Sequence, residues 1–183
     1  MLRLHYILYD VAVKNQKGDE NMKDICSNIV DRTVYPISIK YCGRSYLTLY
    51  YYTDRDDSLL HTDKILCFHS HNEMEKFCVE HALSLENDFY EYDFDMPITN
   101  PMDYAAVLNN WNLLNTIAGI FGMYFEGDQK KYTQVYDYLF RLNTSIEPID
   151  PRCTVGDEYF NQITRVFRKK KRFLDKLQLY VNV

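Results

Sequence analysis

Asp93 and Asp95 form a D-x-D pair within FYEYDFDMP, residues 89–97. Two carboxylates at that spacing share one face of an extended strand. There they can hold Mg²⁺ or Mn²⁺ against a phosphorylated substrate. Glu91 lengthens the acidic strip, while Tyr90, Tyr92, Phe94 and Met96 alternate onto the opposite face. That alternation predicts a half-buried strand with its tyrosines inside. Three aligned carboxylates repel one another, so the strip is a metal or acid–base site, a surface for a basic partner, or a solvated strand face. The chain has no glycine-rich phosphate loop, nucleophile elbow or Gly-x-Gly-x-x-Gly turn to support an enzyme. Glu91, Asp93 and Asp95 are therefore assigned to partner binding, with a metal-dependent hydrolase using Asp93 and Asp95 as the alternative.

Other clusters carry weaker chemistry. His69, His71, Cys78 and His81 crowd into HSHNEMEKFCVEH, and imidazole and thiolate are zinc ligands. The spacing argues against a closed site, because Cys78 falls in the apolar stripe of Met74 and Phe77. No metal or cofactor is assigned. Asn109, Asn110, Asn112 and Asn115 surround Trp111. Asparagine is a poor mid-helix residue because its amide competes for the backbone, so these four predict hydrogen bonds between helix and sheet or a polar contact surface. RVFRKKKR, Arg165 to Arg172, is the one basic block. It offers a nucleic-acid reading, against which Val166, Phe167, Phe173 and Leu174 keep helical phase through it.

The elements that must position these residues follow from periodicity. LRLHYILYDVAV reads as a first strand, and Met22, Ile25, Cys26, Ile29 and Val30 recur at helical spacing. Ile37, Ile39 and Tyr41 alternate, Gly43 and Arg44 supply a turn, and Tyr46 to Thr53 returns, predicting a hairpin with Pro36 near an edge. ILCF is a short strand. Ser70 and Glu73 make a capping box for a helix whose buried stripe is Met74, Phe77, Cys78 and Ala82. After Pro97 strand signals stop. A helix capped by Asn100, with Pro101 at its first position, runs to Phe125 along Val107, Trp111, Leu114, Ala118 and Phe121. A third helix carries Tyr132, Val135, Tyr136, Leu139 and Leu142, and a last one runs from Phe160 to Leu177. The fold class is α+β, by the segregation of strands from helices. A single domain covers 1–183. Its α/β part, 1–97, has a mostly antiparallel sheet with two helices, and its helical part, 98–183, has a three-helix layer.

Charge narrows the partner. The 183 residues carry a net charge of −5, yet from Asp157 to Val183 seven Lys or Arg face three Asp or Glu. The preceding chain is correspondingly acidic. An acidic body does not suit general nucleic-acid binding, which needs a basic surface to match many phosphates. It suits a cationic protein partner. Tyr is abundant, at 17 residues against 6 Gly, leaving tyrosines for a contact surface. MLRLHYILYD does not read as a signal peptide, because Asp10 closes its apolar run. The most apolar stretch, Ile117 to Phe125, falls short of the roughly 20 residues that span a bilayer. No membrane partner is expected, and five Cys without a CxxC pair imply free thiols in the cytoplasm.

EYDFDMPITNPMDYAAVLNNWNLLNTIAGIFGMYFEG, followed by KYTQVYDYLFRLN, resembles immunity proteins of bacterial contact-dependent growth-inhibition and polymorphic toxin systems. The resemblance covers residues 91–143 and rests on the aromatic and Asn-rich helical pattern. It implies a small cytoplasmic protein without catalysis of its own, which binds one cognate toxin domain, often a nuclease, and occludes its active site. A toxin nuclease needs a cationic groove for phosphates, and an acidic strip with tyrosines can occupy that groove. A nucleic-acid-associated protein using Arg165–Arg172 remains the further alternative.

Overall fold

The computed structural model describes residues 25–54, 56–144 and 152–179. The predicted first strand lies outside them. Of the first predicted helix, residues 25–27 are described as helical. The fold is α+β, built on a mixed sheet. Strands β1 (Thr33–Tyr41) and β2 (Arg44–Tyr52) pair antiparallel along their whole length, and β3 (Asp57–Leu59) continues antiparallel from β2. β4 (Ile65–Cys67) leads into helix α1 (His71–Glu80), followed by β5 (Ser84–Leu85) and β6 (Tyr90–Asp93). Both β5 and β6 join β1 in parallel, one behind the other on the same side. The antiparallel character predicted for the sheet thus holds from β3 to β1 and ends where β5 and β6 dock.

The hairpin turn is one residue earlier than Gly43–Arg44. Cys42 and Gly43 take the left-handed conformation, at φ 52° and 70°, which two-residue turns require to follow strand twist. Pro36 lies inside the central strand. Val34 and Lys40 direct their carbonyls toward β5 and β6, accepting from Glu86 and Phe94. Pro36 has the same parity, so its missing N–H faces the gap between Leu85 and Tyr90. A proline is tolerated mid-sheet because the neighbouring strand is interrupted there.

The two faces of the sheet are both covered. Val34, Leu49 and Tyr51 pack with Cys26, Ile29 and the α1 residues Met74, Phe77 and Cys78. Ser70 caps α1, its Oγ accepting from Glu73 N at 3.2 Å, while Glu73 Oε2 accepts from His69 N at 2.7 Å. Ala82, predicted in the buried stripe, is past the helix end and exposed, at φ 52°. Ile37 and Ile39 face the larger core. Over them lie β7 (Met102–Asp103), α2 (Tyr104–Ile120), α3 (Thr133–Thr144), β8 (Arg152–Cys153), α4 (Asp157–Phe167), α5 (Lys170–Leu174) and β9 (Leu177–Leu179).

Asp103, rather than Asn100, caps α2, accepting from Ala106 N at 2.9 Å. Asn100 instead brackets Val155, donating to its carbonyl and accepting from its N–H. Trp111 is 2% exposed and meets Phe125, Tyr132 and Phe167 edge-on, with ring centres 6.1 to 6.5 Å apart. A Cβ on Gly127 would meet the Trp111 ring at 2.8 Å and the Phe125 ring closer still, so that position holds the layer together. The predicted last helix is two, because α5 turns Phe173 and Leu174 into the core and delivers β9 to β4, which it pairs in parallel. Cys26, Cys42, Cys67 and Cys78 are free thiols. Burial pushes Cys67 up to about 12 and Cys78 to about 11, so both stay protonated and unreactive near neutral pH. No helix among the described residues is long and apolar enough to cross a membrane.

Candidate partner-binding face

The acidic strip is not a row of free carboxylates. Asp95 reaches over the hairpin turn, its two oxygens accepting from Cys42 N and Gly43 N, each at 2.7 Å. Asp93 closes the turn after β6, its Oδ1 accepting from Asp95 N at 2.8 Å and Met96 N at 3.0 Å. Its Oδ2 pairs with Lys40 at 3.1 Å. Burial acts to raise Asp93, but the Lys40 ammonium and the two N–H donors outweigh it, and the carboxyl lies below its ordinary range. Glu91 alone of the three is exposed without a described partner. The two aspartates serve different turns, and among the described residues no three His, Cys, Asp or Glu come together to hold a metal. His71 faces Glu75 at 3.4 Å, Cys78 is in the core, and His81 stacks on Phe77 with ring centres 4.3 Å apart.

The other side of the strand also differs from expectation. Phe94 is fully buried, but Tyr90 is 49% exposed and Tyr92 half-buried. The register sets Tyr90 beside Ile37 and Tyr92 beside Ile39. The same sheet face carries Tyr35, opposite Tyr50, and Tyr52, which is 50% exposed. Tyr52 meets Tyr35 and Tyr50 edge-on, at 5.8 and 5.4 Å. Desolvation and then the charges of Glu86 and Asp88, with Tyr52 and Tyr90 alongside, raise Tyr35. Burial and then Asp57 raise Tyr92. These tyrosines thus form one cluster beside acidic side chains, with Tyr50 and Tyr92 lining a cleft against α2. Alternation in LTLYYYTD carried a signal for it, but nothing in the sequence showed which of these tyrosines stay exposed.

The cluster runs into a groove between α2 and the β2–β3 edge. Two clefts of about 380 and 320 Å³ share Asp57, Asn115 and Thr116. The Tyr50 hydroxyl donates to Asp57 Oδ2, and Thr116 Oγ1 donates to the same oxygen at 3.2 Å. Burial and that hydrogen bond push Tyr50 far above its ordinary value, so it remains a donor. The four asparagines divide by position. Asn110 is buried and donates to Asp93 O at 2.9 Å, tying helix to sheet. Asn112 accepts from the Tyr136 hydroxyl at 3.0 Å. Asn115, with its amide nitrogen toward Asp128, donates to both carboxylate oxygens at 3.0 and 3.1 Å. Asn109 is exposed on the groove wall.

The basic block is also largely engaged. Glu126, whose side chain is 7% exposed, meets Lys169 at 2.8 Å, Arg165 at 3.3 Å and Lys131 at 3.8 Å. The Tyr132 hydroxyl donates to it at 2.9 Å. The Lys169 hydrogen bond is the chief cause holding Glu126 below its ordinary range. Lys170 donates to Phe94 O, Arg172 to Tyr124 O, and Lys171 pairs with Asp175. Glu126 drew no attention in the sequence, since an acid before Gly127 carries no motif.

Neither a protein-family model nor a curated protein matches the sequence. Among solved structures, the C-terminal domain of SatS, crystallised in complex with bromine, is similar at a TM-score of 0.54 and 15% identity, covering 82% of this chain and 96% of that one. At that identity the likeness is one of fold: this chain folds like the SatS C-terminal domain.

Proposed function

We propose that the protein is a non-enzymatic immunity protein of the cytoplasm, which binds a cognate bacterial toxin domain, a nuclease, and occludes its active site. The observation that carries this reading is the tyrosine cluster of half-buried Tyr35 with exposed Tyr52 and Tyr90, bordered by Asp57, Glu86 and Asp88. Aromatic anchors ringed by one sign of charge suit a partner surface of the opposite sign. A nuclease groove is cationic because its substrate is a polyphosphate. The contact surface differs from the one predicted. Glu91 stands level with Ser38 on the other face of β6, and Asp93 and Asp95 shape turns, so none of the three lies among these tyrosines.

The test is neutralisation of the toxin domain encoded next to this gene, with affinity measured for purified proteins. Tyr52→Ala with Tyr90→Ala should weaken the complex by about 2 kcal/mol or more, as loss of aromatic anchors does, and should abolish protection of cells. Unchanged affinity and protection would remove this face from the reading. Failure of the wild-type protein to bind any such domain would remove the reading itself.

A further inference from the structure

The cations gathered on Glu126 outnumber it. Lys131, Arg165 and Lys169 all lie within 4 Å of one carboxylate, which also accepts from Tyr132. Three positive charges on one negative charge leave mutual repulsion that the carboxylate offsets only in part. Beside this hub a cleft of about 580 Å³ opens between Lys131–Tyr132 and α4, in the size range of small-ligand sites. Lys131, Arg165 and Arg168 line it, against one acidic side chain among the described residues, that of Glu158. Arg165 is held through Nε, and a guanidinium carries further N–H donors beyond that one. Arg168 is exposed and makes no side-chain hydrogen bond or ion pair with the described residues. Gln162 also lines the cleft, its Nε2 donating to Glu158 Oε1 at 3.4 Å.

We propose that this cleft binds a small phosphate ester, its phosphate on Arg168, Arg165 and Lys131 and its organic part in the remaining space beside Tyr132, Asn161 and Thr164. The ligand class follows from the lining. Arginine forks match phosphate oxygens in a way that chloride cannot use, and a cleft of about 580 Å³ leaves room for an organic part beyond the phosphate. A nucleic-acid track along this block is disfavoured because Lys169, Lys170, Lys171 and Arg172 have protein partners, leaving no line of free cations within it for successive phosphates. This site lies on elements apart from the tyrosine cluster and does not depend on the reading given to that face.

The experiment titrates the full chain with ribose 5-phosphate, with inorganic phosphate and with single-stranded oligouridine, at constant ionic strength set by sodium chloride, following binding by calorimetry. Saturable binding of ribose 5-phosphate is expected, tighter than that of inorganic phosphate. Arg168→Gln should weaken it by about tenfold or more, as loss of a charged hydrogen bond does. Lys76→Gln on α1 should change nothing. Ribose 5-phosphate that binds no better than chloride overturns the proposal, as does an Arg168→Gln protein, folded by circular dichroism, with undiminished affinity. Binding of oligouridine without binding of ribose 5-phosphate overturns it in favour of nucleic acid.

Discussion

The acidic segment from Glu91 to Asp95 and the basic segment from Arg165 to Arg172 are mirror images in sequence and unlike in structure. Each reads as a run of like charge facing water. In the acidic segment, repulsion is relieved by separation. Asp93 and Asp95 bind backbone N–H groups of two different turns, so each charge rests on dipoles. In the basic segment the side chains disperse along different directions, to Phe94 O, Tyr124 O, Asp175 and Glu126. The two segments even meet, through Lys170 and the Phe94 carbonyl. A carboxylate accepts several N–H donors at once, whereas cations need acceptors, and a folded backbone has few spare carbonyls outside helix and strand ends. The basic segment therefore recruits a buried carboxylate and the acidic one needs only a single lysine.

The comparison breaks most visibly at Glu126. Glu126→Gln leaves the cations facing one another and should destabilise the fold by about 2–4 kcal/mol at pH 7, at the lower end because the partners are half exposed. Denaturant midpoints measure this, and a loss below about 0.5 kcal/mol would mean that the hub is ornamental. The same residue fixes a pH dependence. Its folded pKa is lowered from 4.5, so its stabilisation is full above that value and is lost as pH falls through the lower folded one. The wild type should therefore lose more stability between pH 6 and about pH 3 than Glu126→Gln does. Parallel losses in the two proteins would contradict the assignment.

Asp95→Ala tests the acidic side. It strips both turn N–H groups of their acceptor and should cost about 1–2 kcal/mol, tempered by exposure of the turn to water. Glu91→Gln is the smallest effect, within about 0.5 kcal/mol of wild type. If Asp95→Ala were as silent as Glu91→Gln, the strip would be the uniform charged face that its sequence suggests. Glu91→Gln should instead slow association with a cationic partner and reduce its salt dependence, which stopped-flow measurements at two ionic strengths would detect.

Periodicity alone determined a good deal here. The α+β class, the β1–β2 hairpin, the buried Met74–Phe77–Cys78 stripe and the burial of Trp111 were all legible, because alternation of two and of 3.6 reports which side of an element meets a core. The helix-to-sheet role of Asn110 was legible in kind, since a mid-helix amide needs a reason. The end of the basic helix, the cap of α2 and the exposure of Tyr90 were not. Each depends on where another element stops or turns. Tyr90 follows the same alternation as Phe94, yet only Phe94 is buried. Charge is the harder case. A sequence records the sign and order of Asp93, Asp95, Arg165 and Lys169, but a charge acts over a few ångströms in space. Only the folded chain decides whether its nearest neighbour is water, a backbone N–H or Glu126.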